Sequence, residues 1–192
     1  MELTRATPTP HQLRALSHPV RLRLLGLLRT EGPATATALA ARLGLNSGAT
    51  SYHLRQLATH GFIEDDPERG TGRERWWRAS HQATVTHMDD VVAASPEDRE
   101  AYDAYLQAVA VVHGDLLQRS LEERAALPPD WLAATHLGDW GLRLTPARAR
   151  ELVEAVQALV ESWEEDPVGD ESADFVAVLH AFPYPGHLGT QA

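Results

Sequence analysis

The feature that most constrains this chain is a pair of short helical patterns joined only by Gly44-Leu45, with a glycine stop and a Trp-rich strand pair behind them. Thr35 to Leu43 reads as a helix with Leu39 and Leu43 four apart. A second helix is predicted over residues 46–60, ended by Gly61. A joint this tight holds the second helix across the first. Phe62 to Asp66 then reads as a strand, Pro67 to Gly72 as a loop of breakers, and Arg73 to Ala79 as a second strand. Adjacent Trp76 and Trp77 must point to opposite faces of that strand, so one of them plugs a core.

Upstream, Thr9-Pro10-His11-Gln12 carries a Thr N-cap, a first-turn Pro and a capping-box Gln. His18-Pro19 opens another helix, dense in leucine, which Glu31-Gly32-Pro33 stops. The order is helix, helix, helix–turn–helix, hairpin. That order describes a winged helix-turn-helix, whose last helix is offered to a DNA major groove while the hairpin adds a second contact.

Charge divides along the same line. The whole chain is formally −10, which by itself argues against a polyanionic partner. Residues 1–80 hold eleven arginines against seven acids, a balance of +4, whereas residues 81–192 hold six against twenty, a balance of −14. A basic first module and an acidic second one are therefore expected. All 17 basic residues are arginine, which fits a coding bias and makes each arginine a weaker sign of a chosen contact. With no cysteine, disulfides, thiol catalysis and cysteine metal sites are excluded. No phosphate loop, nucleophile elbow or metalloprotease helix occurs, so no enzyme and no cofactor are expected. The N-terminal residues lack the apolar core of a signal peptide, and no apolar run nears the roughly 18 residues of a membrane span. A cytoplasmic chain with no membrane partner is expected.

Three words then stand in order: Leu16-Ser17-His18-Pro19-Val20-Arg21-Leu22-Arg23-Leu24-Leu25, Ala40-Ala41-Arg42-Leu43-Gly44, and Thr50-Ser51-Tyr52-His53-Leu54-Arg55-Gln56-Leu57, closed by Gly61-Phe62-Ile63. On these, residues 10–80 resemble the ArsR-like winged helix regulators of bacteria, in an actinobacterial type with an extended C-terminal domain. The resemblance implies a homodimeric transcription regulator that binds double-stranded DNA, most often a repressor released by an effector. The chain departs from the family's metal sensors in having no cysteine. His113 and Asp115, two apart, face different sides of a helix, so no metal site is expected.

The recognition pattern places Leu54 and Leu57 inward. The candidate DNA contacts on that helix are Ser47, Gly48, Thr50, Ser51, Tyr52, Arg55 and Gln56. Gly48 near the helix start would let a phosphate approach the backbone. Ser47 and Ser51 can donate to phosphate or base edges, and Tyr52 can meet a thymine methyl or a phosphate. Arg55 suits guanine and Gln56 adenine. His53 sits beside the buried face and is open to a packing role or a DNA role. In the wing, residues 66–75, Arg69, Thr71 and Arg73 are candidates for phosphate or the minor groove. The acids Glu64, Asp65 and Asp66 should face away from DNA or pair with Arg73 and Arg75.

The expected fold class is α+β, mainly α: a winged helix-turn-helix over 1–80, a connector over 81–95, and a dimerisation and effector domain over 96–192. Thr84-Val85-Thr86 is a candidate third strand. Ser95-Pro96-Glu97-Asp98 starts a long helix toward Leu127, with Tyr102, Leu106, Val109, Val112, Leu116, Leu117 and Leu121 as an apolar stripe for a dimer seam or for its own domain. Trp140, Leu142 and Leu144 alternate as a strand, Thr145-Pro146 caps a helix to about Glu164, and Asp174 to Phe182 form a last strand around Phe175 to Leu179. Trp131, Trp140, Trp163, Phe182 and Tyr184 are either a core or the lining of an apolar effector pocket. Two other readings stay open: a protein-interaction module that uses the acidic half, and a small-molecule sensor.

Overall fold

The computed structural model describes residues 4–69, 75–86, 88–169 and 171–188. It is an α+β chain, mainly helical, that divides into two compact units between Ala126 and Leu127.

In the first unit, helix α1 spans Pro10–Leu16 and starts at the expected capping box. The Thr9 hydroxyl accepts from the Gln12 N–H, and the Gln12 side chain accepts from the Thr9 N–H at 3.0 Å. Helix α2 spans Pro19–Thr30, and its N-cap is the His18 imidazole, whose Nδ1 accepts the Val20 N–H at 3.2 Å. Helices α3 (Ala36–Leu43) and α4 (Ser47–Thr59) form the helix–turn–helix. Gly44 ends α3 with φ of 64°, a left-handed conformation that glycine adopts without a Cβ penalty. Thr50, Leu54 and Leu57, spaced four and three apart, put one face of α4 into the core.

The strand pair expected behind the helix–turn–helix is present, within shorter bounds. Strands β3 (Ile63–Asp65) and β4 (Trp76–Ala79) pair antiparallel, Ile63 opposite Ala79 and Asp65 opposite Trp77. Trp77 is buried and Trp76 only half so, as adjacent strand positions require. The sheet has a third member that the sequence reading lacked. Strand β2 (Ala34–Thr35) pairs with β4 on its other edge, which makes β4 the central strand. A separate parallel pair joins β1 (Arg5–Ala6) to β5 (Ala83–Thr84), close to the strand expected at Thr84. Arg29 clamps this exit: its Nε donates to the His81 carbonyl and its Nη2 to the Thr84 hydroxyl, both at 2.9 Å. Burial lowers the Arg29 pKa, and Tyr105 opposes that shift.

After a short helix α5 (Met88–Ala93), which stands where a connector was expected, helix α6 spans Pro96–Glu123 from a Ser95 N-cap, and a 3-10 turn follows at Arg124–Ala126. The first half of α6 packs on α1 and α2 and belongs to the first unit's core. The buried positions are Ala101, Tyr102, Tyr105 and Ala108. Of the stripe read from the sequence, Tyr102 lies on this face and Val109 packs beside it. Leu106, Leu117 and Leu121 are exposed, because two alanines supply the close approach and bulky positions alone do not mark it. Arg14 pairs with Glu97 at 3.0 Å, and Arg23 pairs with Asp115.

The second unit holds helices α7 (Pro129–Ala134) and α8 (Pro146–Glu161), α8 starting at the expected Thr145 cap. The stretches read as strands, 139–145 and 174–182, lie within longer segments, 135–145 and 172–184, that run without turn or bend but enter no ladder among the described residues. No described residue of this unit is buried. Trp140, Trp163, Phe182 and Tyr184 are exposed and Trp131 is half-buried, so among the described residues of this unit the aromatics form no buried core. Among the described residues, no helix is long and apolar enough to cross a membrane.

Candidate nucleic-acid interface

The outward face of α4 begins at its cap. The Asn46 side-chain oxygen accepts the N–H of Gly48 at 2.8 Å and of Ala49 at 3.3 Å. The cap therefore already holds the Gly48 N–H, while the Gly48 backbone stays exposed. A Cβ at Gly48 would lie 3.0 Å from that same oxygen, so the glycine also serves the cap. Thr50 needs correction as a DNA contact. It is fully buried, and its hydroxyl donates to the Asn46 carbonyl one turn back, at the cap of the same helix, at 3.0 Å.

Ser47, Gly48, Tyr52 and Arg55 are exposed on α4, and Ser51 and Gln56 are half-buried. Ser51 and Arg55 share a groove of about 290 Å³ with Thr35, Ala36 and Thr37 at the start of α3 and with Arg75 and Trp77 of the wing. Trp77 backs the groove, and the Arg75 guanidinium lies over its ring at 4.2 Å. Thr35, Thr37 and Arg75 were not among the sequence candidates. The Thr-Ala-Thr start of α3 and the basic strand residue were the available signals.

The acidic run beside the wing is matched in detail. Asp65 binds Arg75 at 2.8 Å, Glu64 binds Arg78 at 2.9 Å, and the buried Asp66 lies 3.7 Å from Arg69. Arg75 is therefore the partner foreseen for this run. Arg69 also lies 6.0 Å over the Trp76 ring. Thr71 and Arg73 fall outside the described residues. Within the groove, Arg55 enters no ion pair among the described residues, so its positive charge is the one left uncompensated there.

His53 lies on the opposite flank of α4. Its ring is 4.6 Å from His18 and 5.4 Å from Tyr52, and its Nδ1 has no hydrogen-bond partner among the described residues. Burial lowers its pKa, and His18 and Arg21 add to the effect. His60, 5.0 Å from His11, is lowered by burial, His11 and Arg21. These ring contacts are of the kind a packing role needs. Among the described residues, no three His, Cys, Asp or Glu side chains gather as a metal would need.

A family model described as a helix-turn-helix domain matches residues 16–66 of the chain. A search of curated proteins returns no match. Among solved structures, the chain is similar to RV1404 from Mycobacterium tuberculosis, at 17% identity over 81% of this chain and 82% of that one, with a TM-score of 0.31. It is also similar to an apo mutant of Lactococcus lactis ZitR, at 15% identity over 76% and 82% of the two chains, with the same TM-score of 0.31.

Proposed function

We propose that this chain is a transcription regulator that reads double-stranded DNA with α4 in the major groove and the wing on the flanking backbone. The observation that carries the reading is the groove between α4 and β4, where Arg55 stands beside Ser51 and the start of α3 with no ion-pair partner among the described residues. A guanidinium held at the rim of a helix face is suited to a bidentate bond with guanine, and the neighbouring hydroxyls to phosphate. Arg75 is pre-oriented by the Trp77 ring and by Asp65, and a phosphate can take over the carboxylate's place. Ser47, Ser51, Tyr52 and Gln56 are the further α4 contacts, with Arg69, Thr71 and Arg73 in the wing. The helix-turn-helix match over residues 16–66 supports the same reading. The acidic remainder of the chain repels DNA and leaves the basic groove as the favourable approach.

One winged helix covers about one half-site, so the reading includes a homodimer on a pseudo-palindromic site. The resemblance to ArsR-like regulators supports repression as its mode and the cytoplasm as its place.

Selection from random duplex DNA tests the proposal. The expected product is an inverted repeat whose affinity falls steeply with salt. Arg55→Ala should cost about 1–3 kcal/mol and relax one base position. Arg75→Ala should weaken all sequences alike and reduce the salt slope by about 0.9 per half-site. Absence of any enriched sequence at low salt, or full affinity in the Arg55→Ala protein, would refute it.

A further inference from the structure

We propose that the extended segments 135–145 and 172–184 are strands of an intermolecular sheet, formed with the same segments of a second copy of this chain and packed on the apolar side of α8.

The segments carry the side-chain order of strands without a strand's surroundings. Trp140, Leu142 and Leu144 alternate with Gly141, Arg143 and Thr145, a pattern that pays only when one face is covered. Yet Trp140 is 77% exposed, Trp163 on the C-terminal side of α8 is 78% exposed, and Phe175 is 67% exposed. A 66-residue unit folding alone would bury about 60% of its unfolded surface. Here no described residue is buried. The missing cover lies outside the unit.

The size of the bare surface fits a second copy. Aromatic side chains bury roughly 150–250 Å² each, so Trp140, Trp163, Phe175, Phe182 and Tyr184 together leave on the order of 700 Å² uncovered. A stable interface needs about 800 Å² per partner, and the leucines and valines of the same segments supply the rest. Two unpaired strand-like stretches in one chain are also the edges a sheet must close. An identical copy brings both stretches at equal number and matching pattern, and a two-fold axis pairs a strand with itself antiparallel. DNA is excluded as the cover, because the unit holds three arginines against eleven acids. The acids oppose pairing at long range, and salt screens them within about 8 Å at 0.15 M. Pairing is therefore favoured by salt, the reverse of DNA binding. The inference deepens the dimer within the proposed function, but it stands or falls without DNA.

Sedimentation equilibrium of the full chain without DNA tests it. The expected result is a dimer that persists below 1 µM and tightens from about 0.05 to 0.3 M salt. The double substitution Leu142→Glu and Val178→Glu, at positions exposed in the single chain, should weaken the dimer by about 30-fold or more. Arg55→Ala should weaken DNA binding and keep the dimer, so the two readings fail separately. Amide exchange of the unaltered chain supplies a second measure: protection of 140–144 and 175–179 should rise with protein concentration through the dimer midpoint. A monomer at tens of micromolar overturns the proposal, with the segments then covered by the rest of their own chain or by a different partner. So does a dimer indifferent to both substitutions, or protection independent of concentration.

Discussion

Trp77→Ala is the substitution whose cost follows most directly from the structure. Trp77 is 4% exposed and sits in the central strand, opposite Ala34 on one side and Asp65 on the other. It shares a core with Leu28, Leu57 and Ile63, and its ring carries the Arg75 guanidinium at 4.2 Å. Truncating a buried Trp to Ala costs about 3–5 kcal/mol in lost transfer energy and cavity. Losing an exposed cation–π contact adds about 0.5–1 kcal/mol. The Arg75–Asp65 pair is half-exposed and offsets little of this. With an unfolding entropy of about 2.1 cal/mol/K per residue, a first unit of 126 residues loses about 15 °C of Tm for a 4 kcal/mol change. Far-ultraviolet circular dichroism melts of the full chain would measure it. Trp77→Phe should recover more than half the loss, because the ring still fills the site. Arg75→Ala should leave stability within about 1 kcal/mol, since only an exposed contact is lost. A Trp77→Ala protein that melts within 3 °C of the parent would refute the assignment of this ring as the keystone of the wing.

Three further outcomes are expected. Thr50→Val keeps the shape but removes the bond to the Asn46 carbonyl, so urea titration should show a loss of about 1 kcal/mol, with DNA affinity unchanged. Arg29→Met removes both bonds that clamp the exit after the wing, and should cost about 1–3 kcal/mol in the same titration. His53 and His60 have folded pKa values below 6.5, set by burial, by His18 and His11, and by Arg21. Between those values and 6.5 the unfolded chain binds more protons than the folded one, so stability is full above about pH 6.5 and falls as the pH drops toward the folded pKa. Melts from pH 7.5 to 5 should show that decline, and His53→Gln should flatten it.

Where a helix begins was legible wherever a side chain caps it. Thr9, His18, Thr35, Ser95 and Thr145 each start a helix at the position read from the sequence. Caps are local chemistry, so no tertiary knowledge is needed to see them. The two-residue strands Arg5–Ala6 and Ala34–Thr35 were not visible, because two residues carry no period and their pairing is decided by a distant partner. Thr50 was misplaced for a different reason. Its spacing from Leu54 and Leu57 puts it on the buried face, and that spacing was the signal against a DNA contact. Arg75 entered the groove from a strand residue that had been assigned only to pair with the acids. In the second unit the alternation of Trp140, Leu142 and Leu144 was plain, but alternation states that a face is covered and not what covers it.

The parallel pairing of Arg5–Ala6 with Ala83–Thr84 also sets a timetable for folding. Thr4 and Gln82 exchange hydrogen bonds across 78 positions of chain, so the N-terminal strap has nothing to hold until the wing and the segment behind it have been synthesised. The helices from Pro10 to Thr59 make local contacts and can assemble as they emerge, whereas the strap waits for one closure of high contact order. Because Arg29 grips the same exit from within α2, that late event locks the route by which the chain leaves the winged helix toward α6.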